Sequence, residues 1–184
     1  MTFKRLFGRK SEPQKGKPSL PTVKFDASRV TEAVRADLRS HLLEIDDLPV
    51  GQQQAIYDAA LLSISRGPDL HVLATKLIEL GLAKGRAGQV ALSLNNRASS
   101  LMQVDQQSAL GITEAKWLYS GAPCFVSKHP APADELRRDA EHKAANGKRY
   151  PLNEGLMIGG RLTYPGREAG CKCVANPVVP GFND

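Results

Sequence analysis

The sequence predicts an α+β protein: an N-terminal helical region followed by a small mixed α/β C-terminal domain with a short β-hairpin. Three observations carry this expectation. Apolar residues recur at three- and four-residue steps from Val30 to Leu101, the period of one helix face. That period breaks at Gly111, after which ITEAKWLYS brings the chain's only tryptophan among β-favouring residues. Short apolar runs, LMI and RLTY, then flank Gly159-Gly160, a two-residue hairpin signal. Helices first and strands after is the order of an α+β fold rather than of an alternating parallel sheet.

Residues 1–25 read as a basic arm. Its segment GRKSEPQKGKPSLPTVK, residues 8–24, is rich in Lys, Pro, Gly and Ser. It holds too little apolar surface to offset the entropy of ordering it, and is expected to be a flexible linker. Phe3, Leu6 and Phe7 precede it among basic residues, as a short docking peptide or as chance aromatics at a terminus.

Residues 26–110 read as the helical region. Asp26 or Ser28 is the expected cap of a first helix with Val30, Val34, Leu38, Leu42 and Ile45 on one face. Pro49 is expected to open a second, with Tyr57, Ala60, Leu61 and Ile64 on its stripe and Gly67-Pro68 as its stop. A third carries Leu70, Leu73, Leu77 and Leu80 and ends at Gly81; a fourth runs from about Arg86 to about Gln107 with Ala87, Val90, Leu94, Ala98 and Leu101 in register. Residues 111–184 read as the small α+β domain. It holds the Trp117 strand, a Pro/Gly-rich segment with Cys124 and His129, a polar helix from Pro132 to Asn146-Gly147, and the hairpin. On the polar helix the apolar stripe is Ala133, Leu136, Ala140 and Ala144. His142 lies opposite Ala140, with Arg138 one turn before it.

Charge is unevenly placed. The chain has 25 bases and 19 acids, a formal net charge of +6. Lys4, Arg5, Arg9, Lys10, Lys15, Lys17 and Lys24 face only Glu12 in the first 24 residues, so that segment carries the whole excess and the remainder is neutral. A neutral body with a cationic arm suits phosphate contacts by counterion release, giving salt-sensitive, sequence-independent binding to double-stranded DNA. Solvating the linker is the competing role of the same lysines. Nothing reads as a base-recognition module. No apolar run approaches a membrane span, and MTFKRLFGRK lacks the apolar stretch of a secretory signal. Three cysteines in 184 residues do not make a disulfide scaffold, and a reducing, cytosolic compartment is the default.

The concentrated chemistry is in GCKC. Extended backbone points residues i and i+2 to the same side, so Cys171 and Cys173 are placed to hold one ion as thiolates. A closed tetrahedral zinc site needs two more soft donors, and Cys124, His142 and His129 are available. The specific expectation is one structural zinc ion held by Cys124, His142, Cys171 and Cys173; otherwise the thiols are buried as small hydrophobes. Catalytic arrangements are less developed. Cys124 with a histidine offers a nucleophile and base, and Asp139, Glu141 and His142 offer a metal-dependent nuclease. The latter three stand together on a polar helix, where acids usually face solvent. No phosphate-binding glycine loop, nucleophile elbow or H-E-x-x-H is present.

The order GRAGQVALSLNNRASSLMQ, LGITEAKWLYSGAPC, RRDAEHKAANGKRY and YPGREAGCKC resembles the phage Mu F-like (MuF) head morphogenesis family, the minor head proteins. The matching positions are Arg86 and Ala87; Gly111, Ile112 and Trp117; Arg138, His142, Asn146 and Gly147; Pro165 and Gly166; and Cys171 to Cys173. They span about residues 85–175. Lys172 stands where the family usually has arginine, and the centre of the fourth helix reads LNN. The resemblance implies a non-enzymatic virion component made in the bacterial host cytoplasm. Its place would be the head interior or portal vertex, with the portal, the major capsid protein and packaged DNA as partners and no membrane. The competing expectations are a metal-dependent nuclease or other DNA-processing enzyme, and a cytosolic DNA-binding accessory factor.

Overall fold

Apolar stripes at helical spacing must be buried against one another, and four helices do this here. A computed structural model describes residues 25–126 and 130–182. The arm residues Lys4, Arg5, Arg9, Lys10, Lys15, Lys17 and Lys24, the Phe3, Leu6 and Phe7 cluster, and His129 lie outside the described residues. The helices are α1 (Glu32–Leu43), α2 (Gln53–Ser65), α3 (Leu70–Glu79) and α4 (Lys84–Ala109). Val34, Leu38, Ile56, Ala60, Ile64, Leu73, Leu77, Ala87, Leu94 and Ala98 are fully buried and form one core. Ser63 pins α2 to the start of α3: its hydroxyl donates to the Asp69 carbonyl at 2.8 Å and accepts the Asp69 N–H at 3.1 Å.

Two helix starts differ from expectation. The α1 cap is Thr31, whose hydroxyl accepts the Val34 N–H at 3.4 Å. Asp26 instead caps a short 3-10 turn, Ala27–Arg29. Pro49 does not open α2; its carbonyl accepts the Gln52 N–H at 3.1 Å in a turn, and the helix begins after Gln52. Both cases have one physical cause. A polar cap or a proline marks any turn that needs its geometry, and a turn one step upstream uses the same residues.

Beyond Gly111 the regular structure among the described residues is five short strands and one helix. β1 (Glu114–Leu118) is the central strand of an antiparallel sheet of order β2-β1-β5, with β2 (Arg149–Pro151) and β5 (Val174–Pro177) on its two sides. Ala115 pairs with Tyr150, and Trp117 with Ala175. Between them β3 (Leu156–Ile158) and β4 (Arg161–Thr163) make the expected hairpin. Gly159 and Gly160 have φ of 56° and 83°, the pair of positive values that a tight two-residue hairpin turn demands.

The polar helix α5 (Ala133–Ala144) is present as expected, but it faces the other way. Leu136 is 49% exposed and Ala133, Ala140 and Ala144 are exposed too, whereas His142 is completely buried. A stripe of three alanines and one leucine offers little area to bury. The partners of His142 and Asp139 fix the helix orientation instead.

This domain has its own core of Ala115, Trp117, Cys124, Ala145, Tyr150, Leu152, Ile158, Cys171 and Cys173. One turn ties it to the helices. Arg167 and Arg97 both reach Asp37 on α1, with Arg97 Nη2 to Oδ1 at 2.9 Å and Arg167 Nη2 to the same oxygen at 2.5 Å. Ser100 on α4 donates to the Pro165 carbonyl at 2.8 Å. Burial pushes the Asp37 carboxyl up, but the two guanidinium groups outweigh it and hold it below its usual range.

Candidate metal centre

Four soft donors from three segments meet in this second core. Cys124 lies in the loop after β1, His142 near the end of α5, and Cys171 and Cys173 on the approach to β5. Each is positioned by backbone chemistry. The Cys124 N–H donates to Asp139 Oδ1 at 2.6 Å, and the Tyr119 hydroxyl donates to the same oxygen at 2.9 Å. Asp139 is one turn before His142, so α5 orients both the histidine and the Cys124 loop. The edge of Trp117 packs on the His142 ring, with centroids 5.3 Å apart and planes at 81°.

Residues 171–173 run buried, exposed, buried: the two thiols point inward and Lys172 outward. This is the alternation expected for GCKC, although the strand itself starts only at Val174. Gly170 sets up the approach. Its φ is +75°, and a Cβ there would lie 2.8 Å from the Phe125 carbonyl carbon, so only glycine lets this turn cross the Cys124 loop.

The donor distances suit a small divalent ion. Cys124 Sγ and Cys173 Sγ are 3.5 Å apart, and His142 Nδ1 is 3.4 Å from Cys171 Sγ and 3.8 Å from Cys173 Sγ. All four donor atoms lie within 4.8 Å of one another and all four residues are buried. A zinc tetrahedron with bonds of about 2.3 Å to sulfur has edges of about 3.8 Å. The Cys124, His142, Cys171 and Cys173 cluster could therefore hold a metal ion such as zinc.

Backbone donors surround the sulfurs. The Gly166 N–H points to Cys171 Sγ at 3.3 Å, and the Lys172 N–H to Cys124 Sγ at 3.5 Å. Hydrogen bonds to sulfur favour the thiolate. Bonds from Cys171 and Cys173 lower the Cys124 thiol far below its ordinary range, while the same crowd of sulfurs raises Cys173. Burial pulls His142 down, but hydrogen bonds with Cys124, Cys171 and Glu168 prevail and push it up to about 11. Four donors thus share protons in a dry site, and a divalent cation that binds there must displace them.

Most residues of the resemblance converge here. The Gly147 N–H donates to the Trp117 carbonyl at 2.7 Å, and Asn146 Oδ1 accepts the Tyr119 N–H at 2.9 Å. Pro165 and Gly166 make the bonds to Ser100 and Cys171 already described. Arg138 lines, with Arg137, Arg161, Glu141 and Glu168, a polar cleft of about 240 Å³ beside His142. Arg86 does not join them; its guanidinium makes two bonds of 2.7 Å to Asp47 in the helical region. The carboxylates considered with His142 as a nuclease set are engaged separately, Asp139 as above and Glu141 with Arg137 at 2.9 Å.

Two residues of the site escaped the sequence reading, Asp139 as an anchor and Glu168 as a neighbour of His142. Their only signal was spacing: Asp139 is three residues before His142 on one helix face, and Glu168 three residues before Cys171. Among the described residues no helix is long and apolar enough to cross a membrane. No family model, curated protein or solved structure matches the chain.

Proposed function

We propose that this protein is a phage minor head protein of the Mu F-like type. On this reading it is a structural component of the virion head, made in the host cytoplasm and bound to the portal or major capsid protein, and its C-terminal domain is closed by one zinc ion. The observation that carries the reading is convergence. Nine positions of the resemblance, Trp117, Arg138, His142, Asn146, Gly147, Pro165, Gly166, Cys171 and Cys173, surround or build one buried four-donor cluster, whereas Arg86 and Ala87 belong to the helical region. Residues scattered over more than fifty positions thus have a single physical task.

Zinc fits the donor set. Three thiolates and one imidazole are soft-to-borderline ligands of the structural Cys₃His type. Cys124, Cys171, Cys173 and His142 Nδ1 would hold it, and the ion would supply a cross-link that the short strands lack. Four protein donors fill a tetrahedral shell and leave no position for water or substrate. This favours a structural over a hydrolytic role and places the nuclease reading second. The basic arm with Lys4, Arg5, Arg9, Lys10, Lys15, Lys17 and Lys24 would meet packaged double-stranded DNA.

Purified virions test the proposal. The protein is expected as a minor component of heads, and tagged protein is expected to retain the portal or major capsid protein. Its absence from virions, together with loss of plasmid DNA integrity in Mg²⁺ or Mn²⁺ that His142→Ala abolishes, would overturn this reading in favour of the nuclease.

A further inference from the structure

One carboxylate beside the cluster, Glu168, supplies no donor to it. Glu168 sits in the turn between β4 and Cys171, with only 14% of its side chain exposed. Its Oε2 lies 3.4 Å from His142 Nε2, an ion-pair distance, and both atoms are buried with no closer hydrogen-bond partner. The opposite ring nitrogen, Nδ1, faces the sulfurs of Cys171 and Cys173. Two residues just before Glu168 in the same turn explain why it stays in place. Arg167 holds the turn to Asp37, and Pro165 accepts from Ser100. Arg161 brings its guanidinium to 3.5 Å from the same Oε2.

A histidine that ligates through Nδ1 must carry its proton on Nε2. In a dry site that N–H needs an acceptor, because a buried unpaired donor is costly. Among the described residues, the atom within reach is Glu168 Oε2. We infer that Glu168 is the positioning residue of the metal centre: it accepts the Nε2 proton of His142, so that the ring turns its Nδ1 lone pair toward the three thiolates. Arg161 supports it by keeping a counter-charge on the carboxylate at the edge of the polar cleft. The inference rests on the cluster being a metal centre. It adds a residue that contributes no ligand and yet sets the affinity, as outer carboxylates do for other histidine ligands.

The test uses the full chain, with Co²⁺ as a spectroscopic probe and Zn²⁺ affinity measured by chelator competition. Glu168→Gln keeps an oxygen acceptor, and Glu168→Ala removes it. Zinc affinity is expected to fall about 10- to 100-fold in Glu168→Ala and by less than threefold in Glu168→Gln. The thiolate-to-cobalt charge-transfer bands should keep their intensity in both variants, while the ligand-field bands shift in the alanine variant alone, as the imidazole loses its orientation. Zinc affinity of Glu168→Ala within twofold of wild type would overturn the role of Glu168 and leave the metal centre standing. So would a Glu168→Gln variant weakened about 10-fold or more, a result that decides the matter even should Glu168→Ala fail to fold. Wild-type protein that takes up neither ion overturns both the centre and the role.

Discussion

The two halves of this molecule solve the same problem with different material. The helical half closes on aliphatic side chains. Leu38, Ile56, Ile64, Leu73, Leu77 and Leu94 are fully buried from four different helices. The C-terminal half has strands of three to five residues, and its buried centre holds three thiols, a histidine, Trp117 and Tyr150. A unit of that size buries a small share of its surface, and such domains usually need a disulfide or metal staple. The helical half closes on its own aliphatic core, whereas the second half gathers four buried donors that a metal ion could link.

Metal removal gives the sharpest separation between the halves. Structural zinc in small domains contributes on the order of 10 kcal/mol of folding free energy. Chelation, or Cys173→Ser, is expected to unfold the C-terminal half and leave the helices in place. Trp117 is the chain's single tryptophan and is fully buried. Its emission should therefore shift to the red while most far-ultraviolet helical signal persists. Simultaneous loss of both signals would show that the helical half also depends on the ion, and would break the comparison.

A cavity in the helical core should act in the opposite sense. Leu77→Ala removes a fully buried side chain and is expected to cost about 2–5 kcal/mol, read as a lower denaturation midpoint of the helical signal. Metal stoichiometry should not change, since no ligand is near it in the fold. A variant that lost its metal would contradict the independence of the two cores.

The joint between the halves should give the smallest effect. Asp37→Asn removes the charge that Arg97 and Arg167 share and should cost about 2–3 kcal/mol. The sign with pH follows from the depressed carboxyl of Asp37. Its contribution is fully present above the ordinary value of about 3.8 and is lost as pH falls through the lower folded value. Wild type and Asp37→Asn should thus differ at neutral pH and converge in acid. A constant difference across that range would assign the loss to packing.

How much of this was legible beforehand follows the same division. The helices were readable because large aliphatics at 3.6-residue spacing have one way to be buried, and the hairpin because Gly159-Gly160 matches a turn that few residues enter. β2 and β5 were not read as strands. RYP and VANP are short, end in proline and lack a repeated alternation. The apolar stripe of α5 does not reveal its buried face, because three alanines and one leucine carry too little apolar area to compete with His142 and Asp139. At the site, cysteine and histidine stand out because they are few. Glu168 is one of 19 acids with no local pattern to mark it, and Asp139 stands out only as a candidate nuclease carboxylate, since the contacts that make it an anchor are tertiary.

Native mass spectrometry of the full chain, purified without chelators, bears most directly on the central claim. One zinc ion per chain is expected, lost on acidification and abolished when Cys124, Cys171 and Cys173 are replaced by serine. A metal-free chain whose Trp117 emission is nonetheless that of a buried tryptophan, with all three thiols reduced, would contradict it: the C-terminal half would then be held by packing alone.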